Sequence, residues 1–242
     1  MAKVRLYVDA PLAAGQAVAL TPPQAHYLFA VMRLGPGAEL LLFDGRSGEW
    51  RAEVAEAGRK RGLLVARERT RPLRPPPDLW LLFAPLKKAR TDLIVEKAVE
   101  LGAARIVPVQ TEHTNAERIR PDKLRAHAIE AAEQCGATFV PELAGLERLE
   151  KLLARWPAER RILWADESPE AAPPALAALG QAAPGPWAIL VGPEGGFSET
   201  EKSRLRAAAF VTPVSLGPRI LRADTAAAAA LALWQAALGD WR

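Results

Sequence analysis

Polar and apolar positions are arranged differently in the first third of the chain and in the rest. Near the start, short stretches alternate between apolar and polar residues, which is typical of half-buried strands. The alternation predicts strands at residues 3–8, 39–43, 49–55 and 62–68, and a short helix at residues 24–32. Because turn signals separate these strands, the pattern predicts a small barrel or curled sheet.

A stiff, proline-rich connector at residues 71–77 ends this pattern. Beyond it, continuous apolar runs alternate with amphipathic helical segments. The predicted strands are residues 79–84, 105–109, 161–165, 187–191 and 211–216, and the predicted helices are residues 92–101, 122–134, 146–156 and 173–179, with further helices after residues 198 and 224. This alternation predicts an α/β domain with a mainly parallel sheet that is covered on both faces. We therefore predict two domains, residues 1–71 and residues 72–242.

Composition excludes several classes of protein. Half of the 242 residues are hydrophobic, which suffices for a well-buried core. No apolar run approaches the roughly 20 residues of a membrane helix, and the first residues alternate like a strand and do not form a signal peptide. These features predict a soluble, cytoplasmic protein. The single cysteine, Cys135, excludes an internal disulfide, and histidines without paired spacing predict no metal site.

Positive charge is concentrated near the start of the chain. Residues 1–74 contain 12 Lys/Arg against 7 Asp/Glu, whereas the remainder contains 20 against 21. This asymmetry fits an anionic partner such as nucleic acid. On charge alone, a solvated basic surface that binds nothing specific remains the simpler interpretation.

Two glycine turns follow predicted strands in the second domain. Residues 187–191 lead into Gly192-Pro193-Glu194-Gly195-Gly196, and Ser198 with Glu201 forms a capping-box pattern for the next helix. Residues 211–216 lead into Gly217-Pro218, and Asp224-Thr225 is expected to cap the last helix. Ligands of open α/β sheets lie beyond the carboxyl ends of strands, so these turns and the strand end at residues 164–167 predict one shared crevice. A purely structural role for the glycines remains open.

Known phosphate-binding motifs are absent from these turns. The sequence contains neither the P-loop pattern nor Gly-x-Gly-x-x-Gly, and it lacks the Gly-x-Ser-x-Gly elbow of serine hydrolases. The turns would instead suit an adenine or a ribose, because glycine lets backbone groups approach a ligand closely.

Two long motifs connect the chain to a known family. They are Val191-Gly192-Pro193-Glu194-Gly195-Gly196-Phe197 and Ser215-Leu216-Gly217-Pro218-Arg219-Ile220-Leu221-Arg222-Ala223-Asp224-Thr225-Ala226. Supporting stretches are His26-Tyr27-Leu28, Lys87-Lys88, Glu96-Lys97-Ala98 and Ala132-Glu133-Gln134-Cys135-Gly136. In these residues the chain resembles the ribosomal RNA small subunit methyltransferase E family, which belongs to the SPOUT class. The resemblance runs nearly end to end.

The resemblance implies an N-terminal PUA-like β-barrel that binds RNA, followed by a C-terminal trefoil-knotted SPOUT methyltransferase domain. It implies a homodimer that uses S-adenosylmethionine to methylate N3 of one uridine in the 16S rRNA of the 30S subunit. The cofactor-binding residues it implies are Leu163, Trp164, Ala165, Val191, Gly192, Pro193, Glu194, Gly195, Gly196, Ser215, Leu216, Gly217, Ile220, Leu221 and Thr225. The candidate RNA contacts are Arg5, His26, Arg33, Arg46, Arg59, Lys60, Arg61, Lys87 and Lys88.

Two residues in these motifs are candidates for the chemistry. Arg222 is expected to stabilise the uridine anion that forms when N3 loses its proton, and Glu194 is expected to accept that proton. Each has a structural alternative: Arg222 in a surface ion pair, and Glu194 as a carboxylate near a helix start. A non-catalytic RNA-binding or ribosome assembly factor with a methyltransferase fold is the alternative for the whole chain.

Overall fold

A computed structural model describes residues 4–115, 119–168 and 172–242, apart from the side chain of Lys88. The chain divides into two compact units. The first contains the residues up to Pro75 together with Ala132–Val140, and the second contains Pro76–Ala131 and Pro141–Arg242. The segment Ala132–Val140, which the sequence pattern assigns to the second domain, thus belongs to the first unit.

The first unit is built on a five-stranded mixed sheet. Its strands are β1 (Arg5–Tyr7), β2 (Ala17–Ala19), β3 (Glu39–Phe43), β4 (Glu49–Ala57) and β5 (Gly62–Arg71), arranged in the order β1-β3-β4-β5-β2. Strand β1 runs parallel to β3, and the other pairs are antiparallel. Register shifts along β4 and β5 mark bulges, which bend a sheet and increase its twist. The predicted curled sheet is therefore confirmed.

The short helix predicted near the start has two parts. An α-helix, α1 (Pro22–Ala25), continues into a π-helical segment, His26–Val31. The side chain of Gln24 accepts a hydrogen bond from the Thr21 backbone at 3.0 Å, which fixes the start of the helix. The fully buried Leu28 anchors the π-helical segment in the core of this unit.

The second unit contains a seven-stranded sheet in which every pairing is parallel. Its strands are β6 (Leu79–Phe83), β7 (Arg105–Gln110), β8 (Glu142–Leu143), β9 (Glu147–Arg148), β10 (Arg161–Ala165), β11 (Trp187–Val191) and β12 (Val211–Val214). The order is β12-β10-β11-β6-β7-β8, and β9 also pairs with β7. All residues of β11 are buried, as expected for a central strand that is covered on both faces. This confirms the predicted parallel sheet.

Six helices in the described ranges accompany this sheet. They are α2 (Lys88–Glu100), α3 (Pro121–Cys135), α4 (Leu149–Ala154), α5 (Ala175–Gly180), α6 (Glu199–Ala207) and α7 (Ala223–Leu238). The helix predicted at residues 146–156 is too long, because Glu147–Arg148 pairs with β7 as strand β9 before α4 begins. Within the described residues, we find no helix with the length and apolarity needed to cross a bilayer.

Candidate active site

The order of strands in the second unit determines where its loops meet. Strand β10 lies between β12 and β11, and all three run in the same direction. The loops that follow them therefore leave the sheet side by side. They enclose a cavity of about 480 Å³, which lies in the range of small-molecule sites, about 300–1,000 Å³.

Most of the cofactor-binding residues that the sequence predicts line this cavity. These are Ala165, Val191, Gly192, Pro193, Glu194, Gly195, Gly196, Ser215, Leu216, Gly217, Ile220 and Leu221, joined by Arg222. The cavity also contacts residues that we did not predict as ligands: Arg90, Asp166, Glu167, Pro218, Arg219, Ala223 and Ala226. The loops that follow the strands thus contribute more residues to the cavity than the strand ends themselves.

Three predicted cofactor residues lie elsewhere. Leu163 and Trp164 are buried inside strand β10, and the Trp164 ring packs edge-on against Phe197 with centroids 5.8 Å apart. Thr225 is exposed in the first turn of α7 and does not line the cavity. Leu163 and Trp164 pack in the sheet because they precede its carboxyl end.

Two glycines of the turn after β11 are required by close packing. A Cβ atom at Gly192 would lie 2.6 Å from the ring of Phe197. Gly196 has a φ of +68°, a left-handed conformation that side chains rarely adopt, and its missing side chain leaves room for the Glu167 carboxylate. The turn is therefore shaped by its neighbours as well as by the backbone.

The predicted capping box at the start of α6 is confirmed, and it has a second function. The Glu201 side chain accepts a hydrogen bond from the Ser198 backbone at 2.9 Å, and Ser198 Oγ accepts one from the Glu201 backbone at 3.3 Å. The other Glu201 oxygen accepts a bond from the Glu112 backbone at 2.9 Å. The box thus also ties the loop after β7 to the loop after β11.

His113 strengthens this link, although sequence reasoning treated it only as an isolated histidine. Its Nδ1 lies 3.1 Å from the carbonyl oxygens of both Gly195 and Gly196. Because both neighbours are acceptors, the contact requires a proton on Nδ1. His113 therefore holds the glycine turn in place from outside the cavity.

The two candidate catalytic residues both reach the cavity. Glu194 is ion-paired with Arg90, and the two side chains are 48% and 30% exposed. Arg222 is exposed at the N-cap of α7 and makes no capping hydrogen bond with its side chain. The predicted cap at Asp224 or Thr225 is wrong: these residues lie in the first turn, where Asp224 Oδ1 accepts from the Thr225 backbone at 3.0 Å.

A further carboxylate, Glu167, lies in the cavity wall. Burial raises the pKa of Glu167 above its usual range, although Lys202, whose Nζ lies 3.9 Å away, opposes this effect; the neighbouring Asp166 adds to it. Asp166 is fully buried and accepts a hydrogen bond from Arg206 at 3.2 Å. After β10, Glu167 thus lies in the cavity wall, whereas the Asp166 carboxylate is buried against Arg206.

In the first unit, one predicted RNA contact is unavailable. Arg5 is 11% exposed, and its guanidinium donates to Glu49 at 2.7 Å. It also donates to the carbonyl oxygens of Ala132, Glu133 and Ala137 at 2.6–2.9 Å. These internal partners occupy the guanidinium, so the prediction that Arg5 contacts phosphate is wrong.

The other predicted RNA contacts are more accessible. The exposed candidates are His26, Arg33, Arg46, Arg59, Lys60, Arg61 and Lys87. The side chain of Lys88 lies outside the described part of the chain. Three of these cations, Arg59, Lys60 and Arg61, occupy the turn between β4 and β5. Across the described ranges, no cluster of three or more His, Cys, Asp or Glu is arranged to hold a metal ion.

Comparison with known proteins identifies the family. Residues 74–235 match the model of an RNA methyltransferase domain, and residues 20–66 match that of an RNA methyltransferase PUA domain. A ribosomal RNA small subunit methyltransferase E from Mycobacterium bovis is 30% identical, with 96% of this chain and 90% of that protein aligned. The chain belongs to the ribosomal RNA small subunit methyltransferase E family.

Other members of this family agree with this assignment. The methyltransferase E of Synechocystis is 31% identical, with 89% of this chain and 71% of that protein covered. A crystal structure of a methyltransferase E from Neisseria gonorrhoeae bound to S-adenosyl methionine superposes with a TM-score of 0.88 and 29% identity, covering 99% of this chain and all of that one. The PUA-like domain and the mainly parallel sheet are confirmed. The trefoil knot remains a prediction.

Proposed function

We propose that this chain transfers a methyl group from S-adenosylmethionine to N3 of a uridine in the 16S rRNA of the small ribosomal subunit. The observation that carries the proposal is the cavity at the carboxyl ends of β12, β10 and β11, in a fold whose relative from Neisseria gonorrhoeae was crystallised with S-adenosyl methionine. In this proposal, residues 1–71 bind RNA and residues 72–242 catalyse transfer.

The residues of the cavity suit S-adenosylmethionine. The backbone of Gly192–Gly196 and of residues 215–221 would surround the adenosine, and Gly217 leaves open space there, because a Cβ atom at this position would meet no atom within 4 Å. The carboxyl group of Glu167, which is 35% exposed, lies in the wall of the cavity, where it suits a ligand with a sulfonium and an ammonium group.

S-Adenosylmethionine supplies an electrophilic methyl carbon when bound. The protein must position the uridine and remove the proton from its N3, which is a poor nucleophile until that proton leaves. Glu194 accepts the proton in our proposal, and Arg222 stabilises the negative charge that spreads onto the flanking uracil carbonyl oxygens. As the N3–C bond forms, the S–C bond breaks and S-adenosylhomocysteine leaves with the bonding electron pair, while the N3 proton passes to Glu194.

Binding of the RNA is assigned to the PUA-like unit. The exposed cations Arg33, Arg46, Arg59, Lys60 and Arg61 would neutralise phosphates, and affinity for RNA should then fall steeply with salt because counterions are released. We further propose that the active protein is a cytoplasmic homodimer and that its substrate is the 30S subunit.

Methyl transfer to RNA tests this proposal directly. Wild-type protein, labelled S-adenosylmethionine and either 30S subunits or naked 16S rRNA should give label at N3 of a uridine, mapped by mass spectrometry. Arg222→Ala should retain cofactor affinity and lose at least about a hundredfold in kcat, the usual loss when a charge-stabilising group is removed. Cofactor binding without transfer by the wild type would favour the alternative of an assembly factor.

A further inference from the structure

A second cavity, of about 450 Å³, opens beside the proposed cofactor site. It is lined by Pro85, Leu86, Lys87, Thr91, Asp92, Asn115, Ile119, Arg120, Lys123, Leu124, Pro193 and Glu194. These residues come from the loop after β6, the start of α2, the segment between β7 and α3, and the loop after β11. The cavity thus lies at the carboxyl ends of β11, β6 and β7, the next strands along the same sheet edge.

The two cavities adjoin at a single loop. Pro193 and Glu194 line both of them, because they follow β11, and the carboxyl end of β11 borders both cavities. Arg90, which is ion-paired with Glu194, lines the first cavity from α2. Ligands in the two cavities would therefore meet across the side chain that we propose as the proton acceptor.

The lining of the second cavity combines apolar and basic groups. Leu86, Ile119 and Leu124 offer apolar surface, which suits the face of a nucleobase. Thr91 fixes this floor, since its Oγ1 accepts from the Leu86 backbone N–H at 2.9 Å and donates to the Leu86 carbonyl at 3.0 Å. Asn115 adds an amide that can both donate to and accept from the edge of a base.

Charge at the rim of the cavity favours an anionic ligand. Its cations are Lys87, Arg120 and Lys123, and its carboxylates are Asp92 and Glu194. Asp92 faces His127 at 3.4 Å, Glu194 is paired with Arg90, and Arg120 is paired with Asp122 at 2.7 Å. Lys87 and Lys123 are both exposed, and the ion pairs within the described residues include neither of them.

We propose that this second cavity binds the acceptor nucleotide of the RNA, with the base on the apolar floor and its phosphate at Lys87 and Lys123. This inference rests on the proposed function, and it deepens that proposal by assigning the acceptor to residues outside the glycine motifs. It requires the nucleotide to be drawn out of any stacked or paired arrangement, as enzymes that modify bases do.

Two variants change the cavity in different ways. Ile119→Trp fills the floor, and Lys123→Glu reverses a charge at the exposed rim without altering the core. Lys151→Glu is the matched control, because Lys151 is an exposed lysine on α4 that lines neither cavity. Thermal unfolding and calorimetric S-adenosylmethionine binding by each full-length variant establish that the fold and the first cavity are intact.

Uridine 5′-monophosphate is the probe, titrated by NMR with the first cavity saturated by S-adenosylhomocysteine. We expect Ile119→Trp and Lys123→Glu to weaken its binding at least tenfold and to raise the KM for rRNA at least tenfold. Lys151→Glu should stay within twofold of the wild type, and S-adenosylmethionine affinity should be unchanged in all variants.

The outcomes separate the inference from the proposed function. Equal nucleotide affinity in all four proteins, or no binding by the wild type, overturns the inference while methyl transfer by the wild type still supports the function. A parallel loss of S-adenosylmethionine affinity in both cavity variants also overturns it, since the cavity would then belong to the methyl donor. Loss of nucleotide binding in a protein that transfers no methyl group would support the cavity and count against the function.

Discussion

The two units use arginine–carboxylate pairs in opposite ways. In the first unit, Glu49 is 4% exposed and accepts hydrogen bonds from Arg5, Arg71 and Thr70. In the second unit, Glu194 is 48% exposed and has Arg90 as its partner. In the first cluster the carboxylate of Glu49 is buried within its own unit, whereas the carboxylate of Glu194 lies between two cavities where a ligand can compete for it.

This difference indicates whether each ion pair contributes mainly to the stability of its unit or to ligand binding. A buried carboxylate with several donors stabilises the fold, and removal of one member leaves an uncompensated charge. An exposed pair adds little to stability, about 0–1 kcal/mol. Substitutions in the first cluster should therefore lower stability, and substitutions around the second site should lower affinity while the fold persists.

The largest expected effect is on the stability of the first unit. Glu49→Gln leaves the buried Arg5 and the neighbouring Arg71 without a negative partner, so its unfolding free energy should fall by about 3–5 kcal/mol. Hydrogen exchange of amides in β4 and β5 measures this loss. The matched control is Glu53→Gln, whose carboxylate pairs with Arg67 at 3.0 Å in an exposed position and should cost less than about 1 kcal/mol. Equal protection in both variants would contradict the contrast.

Acid should reproduce most of this effect. Burial alone would raise the pKa of Glu49, but hydrogen bonds from Arg71, Arg5 and Thr70 outweigh it and lower the pKa from 4.5 to about 2. Because the pKa is depressed in the folded state, the stabilisation is complete above pH 4.5 and is lost as the pH falls towards 2. The loss amounts to about 3 kcal/mol. Unfolding curves of wild type and Glu49→Gln should converge over this range; a constant separation would refute the assignment.

The sequence predicted the fold of the second unit well because local signals agree there with the final structure. Continuous apolar runs such as Trp187–Val191 bury every residue, as the observed β11 does. Glu147–Arg148 shows the limit: its sequence favours helix, but it pairs with Val109 and Gln110, about forty positions earlier in the chain. Strand β2, which is short and has two exposed alanines, carries too little pattern to be detected.

At the site, sequence reasoning found the turns but not the residues that support them. Gly192 and Gly196 are recognisable because glycine follows a buried strand, and the sheet order then brings the loops together. The contact from His113 to Gly195 spans 82 positions, and the contact from Arg5 to Ala132 spans 127. A lone histidine or arginine carries no local signal of such a distant partner, so one role was missed and the other was misassigned.

Substitution of a glycine in the cofactor turn should affect binding more than stability. Gly196→Ala places a side chain at a φ of +68° and against the Glu167 carboxylate, which must move. If the ligand-free turn relaxes to relieve the backbone cost of about 1–2 kcal/mol, binding must restore the strained conformation, so the Kd for S-adenosylmethionine should rise at least about tenfold. Gly145→Ala is the control, because a Cβ there meets no atom within 4 Å. Wild-type affinity of Gly196→Ala in calorimetry would show that the turn does not contact the cofactor.

The smallest expected effect tests the residue that supports this turn from outside. His113→Ala removes the hydrogen bonds from Nδ1 to the carbonyl oxygens of Gly195 and Gly196. A net value of about 1 kcal/mol for such a bond corresponds to a Kd for S-adenosylmethionine about fivefold higher. The same hydrogen bond is present in the protein without cofactor, so the unfolding free energy should fall by no more than about 1 kcal/mol.

The matched variant is His113→Asn, whose side-chain nitrogen also stands at the δ position and donates hydrogen bonds. Calorimetry should find that it recovers most of the lost affinity, since the carbonyl oxygens regain a donor. If His113→Asn binds no better than His113→Ala, the ring acts by filling space beside Gly195. A Cβ atom added at Gly195 would lie 3.3 Å from the His113 Cβ. If both bind like the wild type, the turn holds its shape without His113. Support of the turn by a neighbouring side chain would then be limited to Gly196, which packs against Glu167.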